Sequence, residues 1–433
     1  MVPMMPMKVR ILFSIFLVGL LPGWVKSNAQ PGIKPRYTGY LFVYFTGNEG
    51  VQEAIRFAIS GDGFHYRTLN GNQPVLSSEK ISSSGGVRDP NIIRGQDGKT
   101  FYMVATDMVS AKGWSSNRGM VLLRSTDLLH WTSAVVNIQT RYAGQENLER
   151  VWAPQTIYDD SAKKYMIYFS LKYQGEADKI CYAYVNRNFT NLEGPPSQLF
   201  FKADGGSCID ADIAKRNGRY YLFFKTEDSR PGIKIAVSDH LTHGYVLQSD
   251  DYVEQTDKPV EGAGTFRLNN GEGYILMYDM YTSGAYQFTR TTDFRNFAVA
   301  DSEVDMDFHP RHGTVMAITE AEARRLTARW LAPEMSLLTP SNKAIVGTNK
   351  AGPGRDSPTE GGNGRDTTIG IDSLLLHVRP RTDLHHFDPG FITYPGVSIT
   401  PQGARDFSAG PVQYTIRVAG RKKKYFIKIM QSP

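Results

Sequence analysis

The chain has 433 residues, 41% of them hydrophobic and 12% aromatic, with a formal net charge of +6. That composition excludes a disordered polymer and allows one large domain with a smaller one. Without the first 29 residues, 46 basic residues face 43 acidic ones, and the resulting +3 is too weak a balance to point to nucleic acid.

The chain opens as a secretory signal does: Lys8 and Arg10 supply the charged start, Ile11 to Leu21 the apolar run, and Ser27, Asn28 and Ala29 a small-residue cleavage site. Residues 1–29 are therefore expected to be removed, and the mature chain to work in the periplasm or outside the cell. No other stretch is long and apolar enough to cross a membrane, so no membrane span is expected. Cys181 and Cys208 stand in different repeats. An extracytoplasmic compartment would permit a disulfide, but two separate buried thiols are the expectation.

From Tyr40 onward, runs of β-forming residues end in a small or polar residue, then Asp or Asn, then an apolar residue. The copies centre on Asp62, Asp127, Asn188, Asp239 and Asp293, 51–65 residues apart. A supersecondary unit recurring at this period predicts a five-bladed β-propeller, because each small sheet can bury its faces only against its neighbours. The short Asp and Asn side chains are read as acceptors for backbone N–H groups in the turn, with Tyr66, Trp131, Leu192 and Phe297 packing between sheets.

The two ends are out of phase. Tyr40 to Phe45 and the run after Ile55 supply middle and outer strands with no inner strand before them, whereas His312 to Thr319 reads as an inner strand with no middle strand after it. Together they predict one composite blade that closes the ring. Thr319 and Glu322 form a capping-box pattern for a short helix reaching Trp330. The predicted propeller thus spans residues 38–330. Residues 331–370 are rich in Gly, Pro, Ser and Thr and read as a linker. Residues 371–433 alternate as a small β-sandwich-like module, making the whole chain all-β, and the basic run Arg421 to Lys424 reads as a solvated turn or edge strand.

At the heads of successive inner strands stand Asp89, the Trp152-Ala153-Pro154 triplet, Asp210, Glu261 and His312, 51–64 residues apart when measured through Ala153. Inner strands line the axis of a propeller, so equivalent positions converge at one mouth of the channel. Three carboxylates gathered there raise one another's pKa and are unfavourable to assemble without a function. Inverting cleavage of a glycosidic bond needs such a set: a base to activate water and, roughly 6.5–9.5 Å away, an acid to protonate the leaving oxygen. A third carboxylate can hold the acid in its protonated state.

The order Asp, Trp-Ala-Pro, Ile-Asp, Glu-Gly, His-Gly, one motif to a blade, resembles glycoside hydrolase family 43, five-bladed propellers acting on arabinose- and xylose-containing glycans. The resemblance covers about residues 38–330. It implies Asp89 as general base, Asp210 as pKa modulator and Glu261 as general acid. The opening strand with Arg88-Asp89-Pro90, the Ile209-Asp210-Ala211-Asp212 segment, the aromatic strand ending in Lys225 and Pro310-Arg311-His312 is similar to the branch that includes bacterial α-L-arabinofuranosidases. Two departures stand out. Gln155 replaces the acid that many relatives carry after Trp-Ala-Pro. Asp212, on the same strand face as Asp210 by the two-residue period, rivals it for the role. The C-terminal stretch, with Ala404-Arg405-Asp406-Phe407-Ser408 and the Tyr414 to Val418 strand, resembles Ig-like modules of exported Bacteroidetes-type proteins.

Blander readings stand beside these. Asp89 before Pro90 could open a turn and Glu261 before Gly262 could be a loop acid, until the shared register removes the coincidence. Trp152 is wall packing or a sugar-stacking face. His312 is a packing residue, a substrate contact or a ligand for a structural calcium in the central channel, as in some relatives; no cofactor is required by the chemistry. Arg88, Trp114, Lys225 and Arg311 are hydroxyl binders and subsite walls, or members of ion pairs and loops, and Gln155 and Asp212 join them as substrate contacts. The expected activity is removal of terminal α-L-arabinofuranosyl residues by inversion, with an arabinose- or xylose-containing carbohydrate as the partner. The alternatives are a β-xylosidase or exo-galactanase, a glycan-binding propeller without activity, and a protein-interaction scaffold, which would need no aligned carboxylates.

Overall fold

The computed structural model describes Met1, residues 36–350 and residues 372–432. The signal segment and much of the stretch read as linker lie outside the described residues. Five sheets form the propeller. Four are continuous in sequence, with inner strands Val87–Arg94, Leu148–Asp159, Cys208–Arg216 and Glu261–Arg267, and each runs outward through three antiparallel strands. The fifth is composite: the inner strand Arg311–Thr319 pairs with Tyr37–Phe45, and the sheet continues through Arg56–Ser60 and His65–Thr68. Leu41 sits opposite Met316 and Phe42 opposite Val315, so backbone hydrogen bonds close the ring at the predicted place.

The middle strands have one six-residue pattern: Tyr40–Phe45, Phe101–Thr106, Tyr165–Ser170, Tyr220–Lys225 and Tyr274–Asp279. Their side chains alternate between the two faces of each sheet, and both faces are buried. Leu41 and Val43 pack with Met103 and Ala105 of the next blade, whereas Tyr40, Phe42 and Tyr44 pack with Met277 and Phe288 of the preceding one. Further apolar layers fill the remaining gaps between blades. Burying one Phe or Leu contributes roughly 1.5–3 kcal/mol, so these doubly covered strands dominate the stability.

The recurring turn is realised in three copies. Asp62, Asp127 and Asp293 each accept two backbone N–H groups with one carboxylate oxygen, at 2.8–2.9 Å. The other two differ. In the second blade Asn186, not Asn188, accepts the turn N–H groups of Thr190 and Asn191, while Asp239 pairs with Arg219 and Ser238 takes the turn hydroxyl's place. Burial opposes ionisation of Asp127, but the His130 ring and the N–H groups of His130 and Leu129 outweigh it and hold the carboxyl well below the usual range. A depressed folded-state pKa contributes stability above the unfolded value, about pH 4, and loses it as the pH falls. Asp127→Ala is therefore expected to lower stability at pH 7 by about 1–2 kcal/mol, less at pH 3, with turnover per folded molecule unchanged. Thermal melts at the two pH values beside a specific-activity assay check this.

Helix Glu320–Trp330 follows, with the capping box formed as expected: Thr319 accepts the Glu322 N–H and Glu322 accepts the Thr319 N–H. Glu322 also forms an ion pair with Arg94 of the first sequence-continuous blade. The C-terminal module is one five-stranded sheet among the described residues, with Ser373–Val378 parallel to its neighbour Arg421–Gln431. It takes in Ile345–Lys350, inside the stretch read as linker, as an edge strand. Leu374, Leu376, Ile416 and Ile427 join the core that holds Ile318, Ala323 and Leu326, which seats the sheet on the composite blade and its helix. Arg421 to Lys424 are exposed, at the end of their strand where only one side is paired. Cys181 and Cys208 are buried free thiols.

Candidate active site

The five inner strands enter the channel through one four-residue device. In each blade the pairing between inner and middle strand slips: Arg88 to Asn91, Trp152 to Gln155, Ile209 to Asp212, Glu261 to Gly264, and opposite Arg311 to Thr314. These are β-bulges, which re-aim side chains. In four of them the second residue has a left-handed backbone: Asp89 at φ 50°, Ala153 at 46°, Asp210 at 52° and Gly262 at 63°. For residues with a Cβ this conformation costs about 1–3 kcal/mol each and persists only where the surroundings enforce it. Pro90 and Pro154 follow two of these positions and have no N–H to leave unpaired within the bulge.

This register corrects two expectations. Gly262, not Glu261, is the counterpart of Asp89, Ala153 and Asp210, so Glu261 enters the site one residue earlier, level with Trp152. A Cβ at Gly262 would lie 2.5 Å from the His312 ring, which explains glycine at this left-handed position. The bulge also breaks the two-residue period between Asp210 and Asp212. Asp210 accepts the Gly262 N–H at 3.3 Å and Asp212 accepts the Thr265 N–H and hydroxyl at 2.9 and 2.6 Å, so both reach the inner strand of the next blade, Asp210 at its bulge and Asp212 beyond it.

The three carboxylates do converge. Asp89 accepts a 2.8 Å hydrogen bond from Thr106 and lies 3.6 Å from Nδ1 of His312. The buried His312 ring faces Gly262, whose N–H binds Asp210. Burial pushes the Asp210 carboxyl up to about 7; Glu261 and Asp89 add to the rise, and His312 and Lys225 oppose it. Burial raises Asp212 to about 6 against its Thr265 bonds. Glu261 Oε1 accepts from Arg311 at 2.8 Å, and Lys225 Nζ lies 3.5 Å from Oε2. Asp210 is closed off at 6% exposure, while the side chains of Asp89 and Glu261 keep 14% and 21%. Two carboxylates thus face the mouth, with a third behind one of them.

The remaining predicted residues form the walls. Trp114 is 52% exposed, edge-on to Trp152 at 6.3 Å, with the Arg88 guanidinium over its ring at 5.2 Å. One Arg88 nitrogen is held by Glu53 and Asn48. Arg150 stacks 3.7 Å from the Trp152 ring. Lys225 also binds Glu227 at 2.7 Å. Gln155 is fully buried; its carbonyl accepts from Asn91 and its amide nitrogen has no partner among the described residues. Its burial sets it in the channel wall beneath the mouth. His312 Nε2 is likewise buried without a protein partner. As a calcium site the donor set fits poorly. Calcium takes six to eight oxygens, His312 offers a nitrogen, and among the described residues no group of three or more His, Cys, Asp or Glu is placed to hold a metal.

Of the residues beneath the site, sequence reasoning named Lys225 and missed Thr106, Ser170 and Asp279. The sixth position of four middle strands, Thr106, Ser170, Lys225 and Asp279, lies opposite Arg88, Trp152, Ile209 and Glu261. Each reaches toward the next blade's bulge. Thr106 accepts the Ala153 N–H, Ser170 accepts the Asp210 N–H, Lys225 meets Glu261, and Asp279 accepts from Arg311. Aligning the five middle strands on their aromatic starts would have exposed this series.

A family model described as "Probable glycosyl hydrolase domain" matches residues 35–324. An alpha-L-arabinofuranosidase of Bifidobacterium longum subsp. longum is 27% identical over 311 residues, covering 58% of this chain; the chain spans only 28% of that relative's length. Among solved structures, an endo-1,4-beta-xylanase from Bacteroides thetaiotaomicron is 15% identical, covering 64% of this chain and 99% of that one at a TM-score of 0.45. A xylan beta-1,4-xylosidase from Bacillus halodurans is 16% identical, covering 64% and 57% at a TM-score of 0.44.

Proposed function

The chain belongs to the glycosyl hydrolases related to glycoside hydrolase family 43, and from that premise we propose that it is an exported, inverting, exo-acting enzyme that removes terminal α-L-arabinofuranosyl residues from plant glycans. The observation that carries the chemistry is the pair of mouth-facing carboxylates, Asp89 and Glu261, with buried Asp210 bound to the backbone beside Glu261. In this reading Asp89 takes a proton from water as that water attacks the anomeric carbon. Glu261 gives its proton to the glycosidic oxygen as the bond breaks. Asp210 favours the protonated form of Glu261 by like-charge repulsion. Trp114 and Trp152 form an aromatic wall on which a sugar face can stack, and the arabinofuranosidase relative supports the choice of sugar. Calcium has no step here.

A panel of aryl α-L-arabinofuranosides, β-D-xylosides and β-D-galactosides tests the reading, with the anomer of the first-released sugar followed by NMR. Arabinofuranoside hydrolysis with inversion is the expected result. Preference for xyloside or galactoside replaces the sugar, retention replaces the roles, and no hydrolysis leaves a glycan-binding propeller.

A further inference from the structure

Asp279 has no place in the two-carboxylate scheme. Its side chain is fully buried, opposite Glu261 in the strand pairing. Its Oδ2 accepts from Arg311 Nε, and Oδ1 has no hydrogen-bond partner among the described residues. The same Arg311 guanidinium donates through Nη2 to Glu261, so one planar cation spans a buried carboxylate and a partly exposed one. Lone buried carboxylates are unfavourable, and Arg311 alone would serve Glu261 without a second acid behind it.

The charges around Glu261 give the pairing a purpose. Lys225, itself paired with Glu227, faces it from one strand and Asp210 from the adjoining inner strand; Arg311 faces it from the closing blade, whose His312 ring lies against the neighbouring Gly262, and Asp279 from its own sheet partner. A general acid must reach the transition state still carrying its proton, and a bare guanidinium against it favours proton loss. A carboxylate on the far side of the guanidinium offsets that charge while leaving the hydrogen bond in place.

Resting on the acid role proposed for Glu261, we infer that Asp279 is a positioning residue: acting through Arg311, it fixes the Glu261 carboxyl and offsets the guanidinium charge so that Glu261 arrives protonated. Burial keeps Asp279 itself up at about 6, against the lowering pull of Arg311 and with Glu261 adding to the rise. The compensation is therefore complete only above that pH, where the acid's proton is hardest to keep.

The test is the pH profile of kcat/KM on a phenyl glycoside, whose leaving group needs a proton, and on a dinitrophenyl glycoside, whose leaving group does not. Asp279→Asn is expected to move the basic limb on the phenyl substrate down by about one pH unit, with the dinitrophenyl rate nearly unchanged. Arg311→Met is expected to move that limb up. A basic limb unmoved by Asp279→Asn, or moved in the same direction by both exchanges, overturns the inference. Should the single variants fail to fold, the double variant, which leaves neither buried ion unpaired, carries the test. Its limb is expected at or above the wild-type position, and a limb below it overturns the inference. Failure of the acid role itself shows separately, as full phenyl glycoside turnover by Glu261→Gln.

Discussion

Glu261→Gln is expected to cut turnover of a phenyl arabinofuranoside by about 10²–10⁴-fold, the usual worth of a general acid, while sparing most of the rate on a dinitrophenyl leaving group. Gln keeps the length of Glu and can still accept from Arg311 Nη2. The fold should therefore survive, and an unchanged circular dichroism spectrum checks this. Asp89→Asn is expected to lose a similar factor on both substrates, because water activation is needed whatever departs. Asn can still accept from Thr106. The contrast assigns the roles: two variants with the same leaving-group dependence, or either at wild-type turnover, would remove the acid and base assignment.

Asp210→Asn is expected to stabilise the protein while disabling it. The carboxyl titrates near 7 in the folded chain because burial disfavours its charge, against about 3.9 in an unfolded one. Between these values the native state binds more protons than the unfolded state, so this group's contribution to stability falls as pH rises from about 4 to 7 and is level above. Asn keeps an acceptor for the Gly262 N–H and has no charge to bury. The variant should melt with the wild type at pH 4 and on the order of 2–4 °C above it at pH 8. Above pH 7, where Asp210 is charged, turnover should fall at least about tenfold as Glu261 loses its like-charged neighbour. Equal melting temperatures at pH 8 would show that Asp210 carries no buried charge, and retained turnover would pass its role to another group.

The fold was legible because its signals are local. An aromatic hexad recurs as a middle strand, Thr319 and Glu322 mark a helix start, and the phase mismatch of Tyr40–Phe45 against His312–Thr319 locates the closing blade. The site was legible only as far as residue types. Which residue of Glu261-Gly262 matches Asp89 depends on bulges, and a bulge is a backbone event with no composition of its own; the left-handed Ala153 carries no warning in its side chain. Asp279 gave no signal in the sequence, since its meaning lies in Arg311, a blade away. Asp239 matched the turn pattern by identity but is one residue out of step with Ser238, so it faces Arg219 instead. Ile345–Lys350 looked like linker because an edge strand needs little apolar content when only one side pairs.

The closing blade sets an order of events. During synthesis the strand Tyr37–Phe45 leaves the ribosome before the other strands of the ring, yet Leu41 has no inner neighbour until Met316 follows it. Until then its outer partners are made but its axial side is an open template, the kind of edge along which unfinished chains pair with one another. A ring joined by its first and last strands has few local contacts at the join and folds slowly for that reason. The helix Glu320–Trp330 and the C-terminal sheet, which pack on this same blade, are the next segments to emerge. The segments made after the closing strand thus lie over the seam that took longest to shut.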